Sequence, residues 1–229
     1  MISAAPTRER LADRILAALP QTQCTRCGYP DCAGYAQAIA AGEADINQCP
    51  PGGEQGVVRL SAISALPAKP LDPAFGVEGP RSVVFIDENW CIGCTLCLDA
   101  CPTDAIMGSN KRMHTVIEQY CTGCELCLAV CPVDCIHLEV VTGEATGWAA
   151  WSPELADLAR TRYAAKSQRV QRDTAEHTQR KEAQAQAKLK DLAAHSRIED
   201  PVVLDSKRAI IEAAMARARA KRGSDSGAS

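Results

Sequence analysis

Aromatic residues are scarce in this 229-residue chain, at 4% of the total with only two Phe. That scarcity excludes one large aromatic-filled core and points to small units that need internal staples. No run of eighteen apolar residues occurs, so hydropathy offers no spanning helix. Arg8, Glu9, Arg10, Asp13 and Arg14 stand where a signal peptide would need an apolar stretch, so no signal peptide is expected. There is no G-x-G-x-x-G fingerprint, no P-loop and no nucleophile–base set. No catalytic residue and no substrate, NAD or flavin site of the chain's own is therefore expected. Histidine is sparse too. His114, His137, His177 and His195 show no ligand spacing with any cysteine group and read as structural or surface residues.

Cysteine is abundant, with thirteen in all. An odd count fits a pure disulfide framework badly. In the reducing cytoplasm expected for such a chain, clustered thiols signal metal rather than disulfides. Eight of the thirteen fall in two copies of one pattern, "CIGCTLCLDACP" from Cys91 and "CTGCELCLAVCP" from Cys121, thirty positions apart. Both read C-x2-C-x2-C-x3-C-P, the bacterial ferredoxin run whose fourth cysteine ligates the other cluster. That assigns Cys91, Cys94, Cys97 and Cys131 to cluster one, and Cys121, Cys124, Cys127 and Cys101 to cluster two. A pair of zinc sites is the competing reading, since C-x2-C pairs also hold zinc. Three cysteines at successive x2 spacings plus Cys-Pro, twice over, favour [4Fe–4S]. Gly93 and Gly123 are equivalent, and each is expected to let the backbone wrap close to the inorganic core. The leftover Cys135 aligns with Ala105 and reads as a small buried hydrophobe. Trp90 and Tyr120, each just before its first cysteine, are expected to shield and pack a cluster.

The remaining four cysteines, Cys24, Cys27, Cys32 and Cys49, read C-x2-C-x4-C-x16-C. Their spacing makes a third site, and by itself leaves zinc and iron–sulfur both open.

The organisation expected is α+β: a small helical cluster domain over 1–55, a linker over 56–80 beginning with a short helix or strand, a ferredoxin-like domain over 81–151, a basic helical tail over 152–222 and a disordered end at 223–229. Leu11, Ile15 and Leu19 at i, i+4, i+8 mark a first helix stopped by Pro20. "SVVFI", "MHTVI" and "CIHLEV" read as strands around the cysteine repeat. Ser152-Pro153 starts the tail helix and Asp200-Pro201 breaks it. Trp148 and Trp151 are expected to pin the start of the tail to the ferredoxin domain.

Charge divides unevenly. Residues 1–153 hold 9 Lys/Arg against 17 Asp/Glu, whereas 154–222 hold 16 against 10. Between Ala164 and Lys188 the only large apolar residue is Val170, and Asp173, Glu176 and Glu182 interrupt any basic stripe. A solvated helix is the better reading of that stretch, and nucleic acid is not an expected partner. Ile210, Ile211, Ala214, Met215 and Ala218 share one face that could dock on a partner or on the chain's own front half.

The segment "LPQTQCTRCGYPDCAGYAQAIAAGEADINQCPPGG", followed by the tandem motif, resembles the B subunit of the Rnf/Rsx electron-transport complex over about residues 8–143. The combination carries the resemblance; neither motif alone would. It implies that Cys24, Cys27, Cys32 and Cys49 hold one [4Fe–4S] cluster, so that twelve cysteines hold three. It further implies single-electron relay between a redox donor or acceptor and the other subunits of an ion-translocating complex. Members of the resembled family usually start with a hydrophobic anchor that this sequence lacks. A variant without the anchor is therefore expected, cytoplasmic, touching the membrane only peripherally at its cytoplasmic face. A free-standing ferredoxin serving another reductase is the alternative, and a metal-binding regulatory module a third.

Overall fold

The structure is a computed structural model that describes residues 7–198 and 200–225. The chain divides into two compact units, Met1–Lys166 and Ser167–Ser229.

The first unit opens with α1 (Arg8–Ala18), α2 (Cys32–Ala41) and α3 (Gly53–Ser64). Their apolar faces meet in one core of Ile15, Leu19, Tyr35, Ile39, Val57 and Leu60. Asp31 caps α2 by accepting from the Gly34 amide at 2.7 Å, and Gly42 ends it in a left-handed turn at φ 76°. Buried Tyr35 donates its hydroxyl proton to the Asp45 carbonyl at 2.7 Å and accepts from the Gln48 amide at 3.1 Å. That bond pair anchors the loop delivering Cys49. Helix α3 begins before residue 55 and runs across the boundary expected there.

The cysteine repeat folds between short strands. β1 (Ser82–Ile86) pairs antiparallel with β4 (Ile136–Val140), with Ser82 opposite Val140 and Ile86 opposite Ile136. β2 (Ile106–Met107) pairs with β3 (Thr115–Val116), and α4 (Leu96–Ala100) lies between β1 and β2. Val83, Val84, Ala105, Ile106 and Ile136 fill a second core together with cysteine side chains. Such strands are too short to be stable alone, so the cysteine loops are part of what holds this half together.

After β4 come α5 (Gly147–Ala150) and α6 (Pro153–Lys190). Trp148 and Trp151 do not simply pin the tail to the ferredoxin part. The Trp151 indole N–H donates to the Pro20 carbonyl at 2.8 Å, and Arg59 of α3 lies 3.9 Å over the Trp148 ring. Trp151 reaches the loop after α1 and Trp148 reaches α3, while Arg81, 4.9 Å over Trp151, links that contact to the start of β1. A buried indole favours a place where its N–H finds an acceptor, and the turn after α1 supplies one for Trp151.

The early turns of α6 pack against the rest of the first unit, and the solvated stretch expected from Ala164 begins only after Lys166. Lys166 is 9% exposed, and its ammonium donates to the carbonyls of Leu98, Asp99 and Cys101. Arg162 donates to Thr103 O at 2.6 Å and Asp104 O at 3.0 Å, with its guanidinium 3.6 Å over Tyr120. The carbonyls ending α4 and the turn after it require donors, and the long cationic side chains reach them while their stems stay packed.

In the second unit, α6 gives way to turns after Lys190, earlier than the break expected at Asp200-Pro201. Asp200 then caps α7 (Pro201–Asp225), accepting from Val202 N at 2.9 Å, with Pro201 in its first turn. The expected face of Ile210, Ile211, Ala214, Met215 and Ala218 lines one groove with Ala185 of α6. Of the end expected to be disordered, residues 223–225 continue α7, and 226–229 lie outside the described residues, as do residues 1–6 of the expected first domain.

Candidate metal centres

Each cysteine loop is wound by left-handed residues. In the repeat they recur thirty positions apart: Gly93 and Gly123 at φ 68° and 67°, Thr95 and Glu125 at 69° and 65°, Asp104 and Asp134 both at 50°. In the N-terminal loop Gln21, Gln23 and Thr25 alternate at φ 59°, 55° and 60°. Alternating handedness turns successive N–H groups toward one side, which makes a concavity for negative charge. Each non-glycine member costs about 1–3 kcal/mol, so the surroundings must hold it. In the N-terminal loop two buried glutamines do this. Gln21 donates to Leu16 O, Gln23 donates to Gln21 Oε1 at 3.2 Å, and Gln23 Oε1 accepts from the Cys32 amide at 2.9 Å.

The repeat glycines also lie against a neighbouring stretch of backbone. A Cβ on Gly93 would sit 2.5 Å from the Arg112 amide nitrogen, and one on Gly123 would sit 2.5 Å from the Ser82 carbonyl oxygen. They admit another stretch of backbone, in addition to supplying the positive φ.

The sulfurs gather in three groups. Burial pushes the Cys32 thiol up to about 12, with Cys24 and Cys27 adding repulsion. Cys49 is raised well above its ordinary value by burial and then by Cys32, Cys24 and Cys27. Burial lifts Cys97 to about 11, and the cysteines acting on it are Cys94, Cys91 and Cys131. Burial lifts Cys127 to about 12, and its cysteine neighbours are Cys124, Cys101 and Cys121. Cys124, raised to about 11 by burial, likewise feels Cys101 and Cys121. One cavity is lined by Cys91, Cys94, Cys97 and Cys131 together, three from the first motif and one from the second.

Polar groups reach some of these sulfurs. The Ala105 amide donates to Cys101 Sγ at 3.2 Å. His114 Nδ1 lies 3.3 Å from Cys97 Sγ. His114 is 1% exposed, and a Cβ on Gly108 would collide with its ring. At Cys131 burial raises the thiol's pKa, but the backbone amides of Val133, Cys135 and Asp134 and the Cys135 side chain outweigh it and bring it below its ordinary value. Cys135 is buried like its counterpart Ala105, with its sulfur 3.6 Å from Cys131 Sγ.

Four thiolates facing one another in a dry pocket would repel, and a cationic iron–sulfur core removes that repulsion. The donor sets, their burial and the inward N–H groups fit such a core. Among the described residues no group of three Cys, His, Asp or Glu stands ready to grip a single ion.

Trp90 is 68% exposed, whereas Tyr120 packs against the core beneath Arg162. Motif spacing gave no signal for His114, Gln21, Gln23 or Lys166. Glutamine one and three residues after a helix-stopping proline, or one lysine in a polar helix, looks unremarkable until the fold supplies its partners.

Two family models match the chain: a 4Fe-4S dicluster domain over residues 84–138 and an Fe-S cluster segment over residues 19–51. The B subunit of the ion-translocating oxidoreductase complex of Azoarcus sp. is 63% identical over 138 residues, which are 60% of this chain and 75% of that protein. The chain belongs to this B-subunit family.

The corresponding protein of Alkalilimnicola ehrlichii is 54% identical over 140 residues, again 75% of its length. That of Thiobacillus denitrificans is 63% identical over 107 residues, 57% of its length. As a member of the B-subunit family, the chain carries a dicluster 4Fe-4S domain and a second iron–sulfur segment ahead of it. No helix among the described residues is long and apolar enough to cross a membrane.

Proposed function

We infer that this member of the B-subunit family relays single electrons through three [4Fe–4S] clusters, working with the other subunits of an ion-translocating oxidoreductase complex at the membrane surface. Cys24, Cys27, Cys32 and Cys49 hold the first cluster. Cys91, Cys94, Cys97 and Cys131 hold cluster one of the ferredoxin part, and Cys121, Cys124, Cys127 and Cys101 hold cluster two. Each cluster, when bound, takes up and returns one electron.

The observation that carries the reading is the cavity in which Cys131 joins three cysteines of the other motif. Crossed ligands are what a two-cluster ferredoxin requires, and a zinc pair has no need of them. The chain's own groups do the rest. Burial of Cys97, Cys101, Cys121 and Cys127 keeps water from the ferredoxin sulfurs. The Ala105 amide and His114 disperse negative charge on sulfur, which raises a cluster's reduction potential. Arg81 donates to the Cys121 carbonyl at 2.6 Å, and Lys166 binds the Cys101 carbonyl, so two cations brace the loops of one set.

Iron and acid-labile sulfide analysis of anaerobically purified protein tests the cluster count. About twelve irons per chain are expected; about eight irons with one zinc would sink the N-terminal assignment. An anaerobic pull-down from mildly solubilised cells tests the setting, with integral membrane redox subunits expected among the companions. Recovery with only a soluble reductase would favour the free-standing ferredoxin.

A further inference from the structure

The two halves of the ferredoxin repeat are equivalent in sequence but not in surroundings. Thr122, between the first two cysteines of the second loop, is 6% exposed, and its counterpart Ile92 is 57% exposed. What covers the second loop is the N-terminal cysteine loop. Thr122 Oγ1 donates to the Thr22 carbonyl at 2.9 Å, two residues before Cys24. Arg26, between Cys24 and Cys27, pairs with Glu125, next to Cys124, at 2.6 Å. Trp151 closes the same contact from the side through Pro20, and a cleft lined by Thr22, Arg26, Arg81, Thr122 and Glu125 runs between the loops.

The first loop has none of these groups at the matching positions. Ile92 replaces Thr122 and cannot donate, while Thr95 replaces Glu125 and carries no charge for Arg26. The N-terminal unit therefore has one address on a pseudo-symmetric surface. Ile92 and Leu96 of the first loop, with Trp90 just before it, stay open to solvent at 57%, 47% and 68% exposure.

We propose that Thr22, Arg26, Thr122 and Glu125 form a positioning junction that sets the N-terminal cysteine set beside the Cys121 set and leaves the Cys91 set as the far terminus. The proposal rests on the three-cluster reading and adds the order of the sites: N-terminal set, Cys121 set, Cys91 set. Electron exchange weakens steeply with distance, so the pair of sites whose ligand loops are bonded to each other is the pair that communicates.

The test is EPR of the fully reduced, full-length chain, reading spin–spin broadening of the N-terminal signal. Cys127→Ala is expected to abolish that broadening and Cys97→Ala to preserve it; the reverse pattern overturns the order. Iron analysis accompanies each variant, and about eight irons marks the loss of one cluster alone. If either variant loses both ferredoxin clusters, the junction is read instead through Thr122→Val combined with Glu125→Arg. That variant is expected to keep about twelve irons and lose most of the broadening, and adding Arg26→Glu is expected to restore part of it. Broadening unchanged in the Thr122→Val, Glu125→Arg chain at full iron content overturns the junction. A wild-type chain with about eight irons and one zinc refutes the three-cluster reading itself, a result distinct from either outcome above.

Discussion

Replacing Gly123 by Ala isolates what the repeat glycines do. Two penalties arise at this position. Alanine at φ 67° enters the left-handed region, at about 1–2 kcal/mol. Its Cβ would also stand 2.5 Å from the carbonyl oxygen of Ser82, the first residue of β1, whose partner across the ladder is Val140. Ser82 can retreat only by loosening the β1–β4 pairing, so this overpacking adds about 1–3 kcal/mol. Gly143 supplies the control, since it has φ 57° and a Cβ there meets nothing within 4 Å. Gly143→Ala therefore carries the conformational penalty alone. The difference between the two variants, about 1–3 kcal/mol, corresponds to an apparent midpoint lower by ~2–12 °C for a unit of this size. The assay is anaerobic heating of loaded protein at one scan rate, followed by visible absorbance, because cluster loss is irreversible and the midpoint depends on rate. Gly123→Ala is expected to release the cluster of the Cys121 set first, and Gly93→Ala, which meets the Arg112 backbone, that of the Cys91 set. Equal midpoints for Gly123→Ala and Gly143→Ala would refute the steric reasoning.

Three further outcomes are expected. Cys101→Ala should remove the cluster of Cys121, Cys124 and Cys127 and spare that of Cys91, Cys94 and Cys97; EPR showing the opposite loss would end the crossed assignment. Lys166→Met leaves the carbonyls of Leu98, Asp99 and Cys101 without their shared cationic donor and should lower stability to urea by about 2–3 kcal/mol. A change below about 0.5 kcal/mol, the range of neutral surface positions, would show that the early turns of α6 are dispensable. With Cys97 as a thiolate ligand, His114 Nδ1 must be the donor, so His114→Phe should lower the midpoint potential of the Cys91 set and leave the Cys121 set where it was. Equal shifts in both sets, read by potentiometric EPR titration, would assign the effect to general repacking.

What could be read in the linear chain was whatever depends on neighbours within about one loop. Cysteine spacing marks the three candidate donor sets, because three cysteines of each set fall within one short loop and leave a local pattern. The thirty-residue repeat marked Gly93 and Gly123 as equivalent, and both turn out left-handed. The strands Ser82–Ile86 and Ile136–Val140 showed as β-branched runs, and the stop of α1 showed as Pro20.

What depends on distant packing stayed hidden. Thr122 meets Thr22 one hundred residues away, and Trp151 meets Pro20 across 131. No periodicity records which of two equivalent loops will be covered, because the choice depends on a surface that exists only once both halves have folded. Lys166 looked like one more cation on a polar helix, and its burial follows from the carbonyls that α4 leaves unpaired at the place where α6 crosses them. The chemistry of this protein is thus written locally, in cysteines and turns. Which cysteine loop meets which is decided by tertiary contact, through side chains that the cysteine spacing does not single out.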